Sequence, residues 1–218
     1  MSPRPQLPAE EIEARRTAIL ESTVDEIAGT GLENVRMKDV AAGAGMSVGT
    51  IQYYFQSRDE LLVQALSMHS SRVVAAIAAL SAAEGSAWEK LQLSFRAVPA
   101  VDDYPKRARV WVELVSAARR RPFLQDAVTE VFARWTDHFE RIVSAGIGDG
   151  SFRPQAEVSL IVETIVAQID GFDLAVASGR PVPPAERISR SLELTAAALL
   201  GVPLDHERPP EESARGAD

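Results

Sequence analysis

The chain has 218 residues, of which 46% are hydrophobic, and this is enough to bury a full core in one domain or in two small domains that share one. It has no cysteine, which excludes disulfides, thiolate-bound zinc and iron–sulfur clusters. Acidic residues stand where a signal peptide has its apolar segment, and no run approaches the ~20 apolar residues of a membrane span. We therefore expect a cytoplasmic protein with no membrane partner, no metal and no cofactor.

The net charge of −8 limits the partners that the chain can bind, because Lys and Arg dominate affinity for the phosphate backbone of nucleic acids. Residues 1–70 carry six basic and ten acidic side chains, a net charge of −4. Residues 34–58 are positive, with Arg36, Lys38 and Arg58 against Asp39. Binding to nucleic acid would therefore depend on a few well-placed contacts and not on a broad basic patch.

Nearly every long segment has apolar residues at helical spacing, and strand-like alternation is missing, so the sequence predicts an all-α fold. Glycine or proline interrupts the helical pattern between most segments. The fourth helix, after the N-cap Ser57, is long enough to join two halves of the molecule. About nine helices are predicted, near residues 8–30, 37–43, 47–54, 58–80, 86–98, 105–120, 122–146, 155–178 and 184–200.

Residues 37–55, MKDVAAGAGMSVGTIQYYF, contain two helices that are too short to be stable alone and that are joined by a turn with glycine. This arrangement is typical of a helix-turn-helix. Val40 and Ile51 are the apolar anchors of the two helices, Gly45 supplies the positive φ of the turn, and Ser47 caps the second helix. In such a motif the start of the second helix meets base edges in the major groove of DNA.

The run V-A-A-G-A-G-M-S-V-G-T-I-Q-Y-Y-F-Q-S-R-D-E-L at residues 40–61 resembles the N-terminal domain of the TetR/AcrR family of transcriptional regulators. With Arg16, Ile19, Leu20 and Gly31 at the family's first-helix positions, the resemblance covers about 50 residues. It implies a repressor that binds double-stranded operator DNA as a homodimer and is released by a small-molecule ligand. Such a protein is expected in the cytoplasm, associated with the nucleoid.

The resemblance also implies which residues contact DNA. Thr50 and Tyr54 would touch phosphate or base edges, and Arg58, which replaces a family lysine, would bind phosphate. Arg36 stands where a capping threonine is usual, which loses a cap worth ~1 kcal/mol and gains a charge for phosphate. Gln52 replaces a usual tyrosine and can pair with adenine or contact the DNA backbone. The predicted DNA-binding residues are Arg36, Lys38, Ser47, Val48, Gly49, Thr50, Gln52, Tyr53, Tyr54 and Arg58.

The second half of the chain is rich in aromatic residues on predicted helices. Such residues usually form a core, but a helical domain with several bulky side chains and isolated polar groups is also where a small-molecule pocket forms. His69 and Asp170 interrupt apolar stripes, and each is either a hydrogen-bonded core residue or a ligand contact. The predicted ligand-binding residues are His69, Phe95, Trp111, Phe132, Trp135 and Asp170.

The eighth helix carries an apolar seam that a monomer need not bury in full, and a helix of a second subunit is its natural cover. With the ninth helix, two helices from each subunit would form an intermolecular four-helix bundle. Residues 109–179 also loosely resemble the ligand-binding half of the choline-regulatory, BetI-like branch of the family, without implying the same ligand. The predicted dimerisation residues are Val158, Ile161, Val162, Ile165, Val166, Ile169, Leu192 and Leu199.

The predicted domains are a helix-turn-helix domain at 1–57, a ligand-binding and dimerisation domain at 58–201, and a disordered tail at 202–218. The tail contains three prolines, scattered charges and little apolar surface.

Two alternative functions stay open. The acidic charge favours a helical small-molecule-binding or interaction protein whose DNA-binding head is degenerate. The string GMSVG matches the G-x-S-x-G elbow of hydrolases at Ser47, but that elbow follows a strand, and the preceding KDVAAGA is not strand-like. An enzyme is therefore not expected.

Tyr54 can equally well pack in the core, and core packing is the interpretation we prefer for Phe55.

Overall fold

The structure is a computed structural model that describes residues 8–82 and 84–203. Over these residues the chain forms helices joined by turns and loops, with no strand, which confirms the predicted all-α class. The described helices are α1 (Ala9–Thr30), α2 (Met37–Gly43), α3 (Val48–Tyr54), α4 (Arg58–Leu80), α5 (Ala87–Ala97), α6 (Tyr104–Ala118), α7 (Gln125–Gly148), α8 (Val158–Ala177) and α9 (Ala185–Leu200). Two 3-10 turns, Leu32–Asn34 and Pro122–Leu124, precede α2 and α7. Most of the predicted tail, residues 204–218, lies outside the described residues.

Side-chain caps determine where several of these helices begin. Ser47, Ser57, Ser86 and Asp103 each accept a hydrogen bond from the backbone N–H three residues later. At the start of α5, Glu89 completes a capping box with Ser86. Because these contacts lie within a few residues of each other in the chain, the helix bounds agree closely with those predicted from the sequence.

The buried apolar side chains form two clusters. The N-terminal core contains the inner sides of α1 to α3, the first half of α4 and the second half of α6. The C-terminal core contains the second half of α4 and the inner sides of α5 to α9. Val110 and Leu114 of α6 lie in the N-terminal core, although they are far from residues 1–57 in the chain. Both α4 and α6 therefore connect the two halves.

Within the described part of the chain, α4 is the helix that is long and apolar enough in composition to cross a membrane, with a mean hydropathy of 1.3 over its most apolar window. Within the fold, 44% of that window is buried. Leu62 and Leu66 pack in the N-terminal core, and Val73 and Ile77 pack in the C-terminal core. The composition of α4 is therefore that of a helix covered by neighbours on several sides.

The apolar seam of α8 faces the interior of the monomer, and its prediction as a dimer surface is wrong. The central residues of the seam are at most 7% exposed, and Leu192 of α9 is fully buried. Val158 and Leu199 are partly buried against the same core. Helices α6, α7 and α9 of the same chain cover this side of α8. The corrected residues, all in the C-terminal core, are Ile161, Val162, Ile165, Val166, Ile169 and Leu192.

Candidate functional site

The segment from α2 to α3 has the geometry of a helix-turn-helix. Gly45 in the turn has a φ of +64°, as predicted, and the N–H of Met46 donates to the carbonyl of Ala41 at 2.8 Å. Val40 and Ile51 are fully buried and fix the two helices on the N-terminal core. This anchoring leaves the opposite face of α3 to solvent.

The exposed face of the helix-turn-helix carries most of the predicted DNA-binding residues. Tyr53 is 82% exposed, and its ring stands edge-on to Tyr54 with 5.4 Å between the ring centroids. Tyr54 is half-buried against the N-terminal core, and Phe55 is fully buried. Thr50 is half-buried and shares a 2.9 Å hydrogen bond between its hydroxyl and that of Ser47. The remaining predicted residues that are exposed are Arg36, Lys38, Ser47, Val48, Gly49 and Gln52.

Arg58 makes contacts within the chain that the sequence did not predict. Its Nε donates to the carbonyl of Val35 at 2.9 Å, and its Nη2 donates to the carbonyls of Leu32 at 2.6 Å and Glu33 at 3.2 Å. The 3-10 turn before α2 leaves these carbonyls without helical partners, and the start of α4 brings the guanidinium next to them. These bonds hold the guanidinium against the turn, and its binding to phosphate stays a prediction.

The outer side of α6 bonds the end of α1 and the turn that follows it. An Oε2 of Glu113 accepts the backbone N–H of Leu32 at 2.9 Å, and Nε of Arg109 donates to a carbonyl near the end of α1 at 3.2 Å. Beyond the end of α6, Arg121 pairs with Glu33 of the same turn, and this hydrogen bond holds the pKa of the Glu33 carboxyl below its usual range. The sequence does not indicate these contacts, because more than 80 residues separate the partners.

A cavity of about 40 Å³ lies between α4, α6, α7 and α8 in the C-terminal half. Four of the predicted ligand-binding residues line it, namely His69, Trp111, Trp135 and Asp170. The indole Nε1 of Trp111 donates to Oδ1 of Asp170 at 2.9 Å. Trp111 and Asp170 also border an apolar surface groove of about 270 Å³ that includes Phe132.

Phe95 is a correction to the predicted ligand-binding set. Its side chain is fully buried and packs on Phe139 with 5.8 Å between the ring centroids. It lies in the C-terminal core and not on the wall of the cavity. Aromatic residues at helical spacing have the same pattern in a core and in a pocket wall, which is why the sequence does not separate the two.

Asp173 and Arg107 also line the cavity, and the sequence analysis missed both. Asp173 is 6% exposed, and burial raises the pKa of its carboxyl to about 6, against the opposing effect of the Arg107 charge. Nη1 of Arg107 donates to the carbonyl of Val101 at 2.9 Å, and its guanidinium lies over the ring of Tyr104. The sequence does carry one indication of Asp173. It lies three residues after Asp170 on an apolar helix, and that spacing places both carboxyls on one face.

His69 lies on the cavity wall and is 8% exposed. Its Nδ1 is 3.8 Å from Oδ2 of Asp102, and its Nε2 has no hydrogen-bond partner among the described residues. Burial lowers the pKa of the imidazole, so the ring is neutral at pH 7.

Both halves of the chain match known protein families. Residues 19–65 match the model of the tetR family of bacterial regulatory proteins. Residues 87–201, more than half of the chain, match the model of the C-terminal domain of BetI-type transcriptional repressors.

Individual relatives agree with these matches. The HTH-type transcriptional regulator PksA of Bacillus subtilis is 26% identical over 164 residues, 74% of this chain and 78% of the relative. The HTH-type transcriptional repressor KstR of Mycolicibacterium smegmatis is 30% identical over 127 residues, 58% of this chain and 54% of the relative. A solved structure of a transcriptional regulator from Saccharomonospora viridis in complex with choline is 26% identical, with a TM-score of 0.73 and coverage of 83% of this chain and 94% of that chain.

These relatives are transcriptional regulators and not enzymes, and in this chain the hydroxyl of Ser47 caps a helix that follows another helix and not a strand. The exposed helix-turn-helix and the helical C-terminal half match the same group of proteins. The chain therefore belongs to the TetR family of DNA-binding transcriptional regulators.

Proposed function

We propose that the protein is a repressor that binds operator DNA as a homodimer and leaves the DNA when a small molecule enters the cavity. One observation carries the release mechanism: a single helix, α6, serves both halves of the molecule. Its inner side lines the cavity with Trp111, and its outer side bonds the N–H of Leu32 through Glu113. A ligand that displaces α6 therefore also displaces the support of the helix-turn-helix.

The exposed side chains of the helix-turn-helix are the proposed DNA contacts. Tyr53 and Gln52 project from α3, the helix that would enter the major groove. Lys38 and Arg36 stand at the start of α2, where they would contact phosphate. Because the helix-turn-helix carries few cations, simultaneous binding by both subunits of the dimer provides the affinity that a basic patch provides in other DNA-binding proteins.

The outward sides of α8 and α9 are the proposed dimer surface, in place of the buried seam. Leu160 and Leu174 on α8 are 56% and 59% exposed, and Leu194 on α9 is 47% exposed. Ala167 and Gly171 lie between the two leucines on the exposed side of α8 and would let a partner helix approach closely. Pairing of these two helices with their copies forms a four-helix bundle around a two-fold axis.

The two states of such a repressor differ in the distance between the helix-turn-helix segments of its two subunits. DNA binding requires these segments to meet successive major grooves, about 34–36 Å apart. A ligand that binds better to a conformation with another separation competes with DNA, and the expected coupling is ~1–3 kcal/mol. Choline, which is bound in the relative from Saccharomonospora viridis, is a suitable reference compound for this release.

Binding to the DNA upstream of the protein's own gene tests the proposal. Fluorescence anisotropy with a labelled duplex, from 50 to 300 mM salt, should show saturable binding that weakens with salt. Tyr53→Ala and Lys38→Met should each lower the affinity for DNA, by up to about tenfold. The circular dichroism spectrum should not change. Leu80→Ala removes a side chain that is 54% exposed at the far end of α4 and serves as the control. If all three variants bind DNA with the affinity of the wild type, the assignment of Tyr53 and Lys38 as DNA contacts is wrong.

A further inference from the structure

We infer that the effector is a slender organic cation with N–H donors, that is, a protonated primary or secondary amine. This inference rests on the proposed function, because it specifies the chemical class of the ligand for the same cavity. Three features of the cavity wall carry it: hydrogen-bond acceptors without partners, an excess of negative charge, and a small volume.

Two buried acceptors on the cavity wall have no hydrogen-bond partner among the described residues. They are Oδ1 of Asp173 and Nε2 of His69, residues that are 6% and 8% exposed. The buried hydroxyl of Tyr104 lies near the Asp173 carboxyl and is the donor with which a ligand would compete there. The Nδ1 of His69 faces the carboxylate of Asp102, which favours the tautomer with its proton on Nδ1 and leaves Nε2 as an acceptor. Buried polar groups without partners cost stability, so a ligand that donates hydrogen bonds to both is favoured.

The charges on the wall favour a cation. Asp170 and Asp173 are carboxyls, and Arg107 is the basic residue on the same wall. Both terminal nitrogens of Arg107 already donate to backbone carbonyls, so its charge offsets one carboxylate and it offers little to an acid. With both carboxyls ionised, a positive ligand balances the remaining negative charge. Trp111 and Trp135 line the same cavity, and aromatic rings attract cations.

The volume of the cavity discriminates among cations. At about 40 Å³, it accommodates a narrow group more readily than a bulky one. An ammonium group with one substituent has the width of a single chain and is narrower than a trimethylammonium head. A trimethylammonium head also has no N–H, so it leaves the acceptors of Asp173 and His69 unpaired. A longer substituent on the amine can extend past Trp111 toward the surface groove at Phe132.

Four matched probes test the ligand class by calorimetry and thermal shift on the full chain at pH 7.5. They are n-butylammonium, n-butyltrimethylammonium, choline and butyrate, at equal ionic strength. We expect n-butylammonium to raise the melting temperature and to bind at least tenfold more tightly than each of the other three. Weaker or equal binding of n-butylammonium, or no binding at 10 mM, would overturn the inference.

Two carboxyl variants locate the binding group. Asp173→Asn should weaken n-butylammonium binding at least tenfold. Because it also removes the carboxylate beside the buried Arg107 charge, it should lower the melting temperature of the ligand-free protein, so calorimetry at a temperature where the variant is folded is the measurement. Asp137→Asn removes an exposed carboxyl on α7 and should bind as the wild type does. Wild-type affinity in Asp173→Asn would contradict the assignment. If Asp173→Asn does not fold, the relative affinities of the four probes for the wild type decide whether the ligand class is correct.

Operator binding, measured alongside, separates this inference from the proposed function. If n-butylammonium binds in the cavity but leaves the protein on DNA, the ligand class stands and the release mechanism is wrong. If choline or n-butyltrimethylammonium releases the DNA and n-butylammonium does not, the release mechanism stands and the amine inference is wrong.

Discussion

Arg58 shows how the role of a single side chain depends on the residues around it. A cation directly after the recognition helix is expected to bind phosphate, yet its guanidinium bonds three carbonyls of the turn between α1 and α2. It thereby ties the start of α4 to the segment that supports the helix-turn-helix. The planar guanidinium suits this task because it presents several donors in a fixed geometry.

Arg58→Ala is therefore expected to lower stability, and not only DNA affinity. Loss of its hydrogen bonds to the carbonyls of Leu32, Glu33 and Val35 should reduce the free energy of unfolding by about 1–3 kcal/mol, measured by urea denaturation. Lys38→Ala, which removes an exposed cation nearby, should change it by less than about 0.5 kcal/mol. Equal stability of the two variants would show that the Arg58 contacts contribute little.

His138 makes a second prediction at this scale, for stability against pH. Its imidazole is 3% exposed and shares a 2.9 Å hydrogen bond with the hydroxyl of Ser94, and burial lowers its pKa to about 4. Between pH 6.5 and 4 the unfolded chain binds a proton that the folded chain excludes, so stability decreases as pH falls through this window. The raised pKa of Asp173 acts in the opposite direction between pH 6 and 3.8.

The two contributions can be separated with His138→Phe. Between pH 7 and pH 4, the free energy of unfolding should fall in the variant by up to about 3 kcal/mol less than it falls in the wild type. Denaturant unfolding at several pH values measures the difference. Identical pH profiles of the variant and the wild type would assign the acid sensitivity to other groups.

At the scale of elements, the packing of helix ends decides which small residues matter. The last turns of α7 lie directly against Phe152, whose ring is 3% exposed and stands edge-on to Trp88. A Cβ at Gly146 would overlap the Phe152 ring, whereas a Cβ at Gly148 would meet no atom within 4 Å. Two glycines on the same helix, two residues apart, therefore have different constraints.

Gly146→Ala and Gly148→Ala form a matched pair that tests this packing. Gly146→Ala must displace a buried ring and should lower the free energy of unfolding by about 1–3 kcal/mol. Gly148→Ala should be neutral or stabilise by up to about 1 kcal/mol, because alanine has the higher helix propensity. Thermal unfolding compares them, and an equal effect of the two changes would contradict the close contact with Phe152.

At the scale of the whole molecule, the two cores share α4 and α6, so the N-terminal half and the C-terminal half are not independent bodies. The exposed leucines of α8 and α9 form a further surface that the monomer leaves open. Assembly through that surface would place the two helix-turn-helix segments on one duplex. Both the ligand response and the affinity for DNA would then be properties of the dimer.

Substitution of the exposed leucines tests the assembly. The double variant Leu160→Glu, Leu194→Glu places like charges where the two subunits would meet and should convert the dimer to a monomer by light scattering after size exclusion. DNA affinity should fall with it by at least tenfold, because one head replaces two. Leu80→Glu changes a leucine of similar exposure, 54%, on α4 and should leave the mass unchanged. A dimeric double variant would place the interface elsewhere.

The sequence by itself determined the class of fold, the helix bounds, the helix-turn-helix and the family. These depend on interactions between residues close together in the chain: the caps at Ser47 and Ser57, the positive φ of Gly45, and apolar residues at helical spacing. The four predicted residues on the cavity wall also follow from such local patterns, as bulky or polar interruptions of apolar stripes.

The tertiary structure alone decided which neighbour covers each face. A stripe at helical spacing shows that a face of α8 is apolar, but only the packing shows that its own chain covers the face and that the leucines on the other side remain exposed. The bonds of Arg58 to the turn at Leu32, and of Glu113 to the same turn, join residues far apart in the chain. Because the energy of such contacts depends on distance in space and not along the chain, no local pattern predicts them.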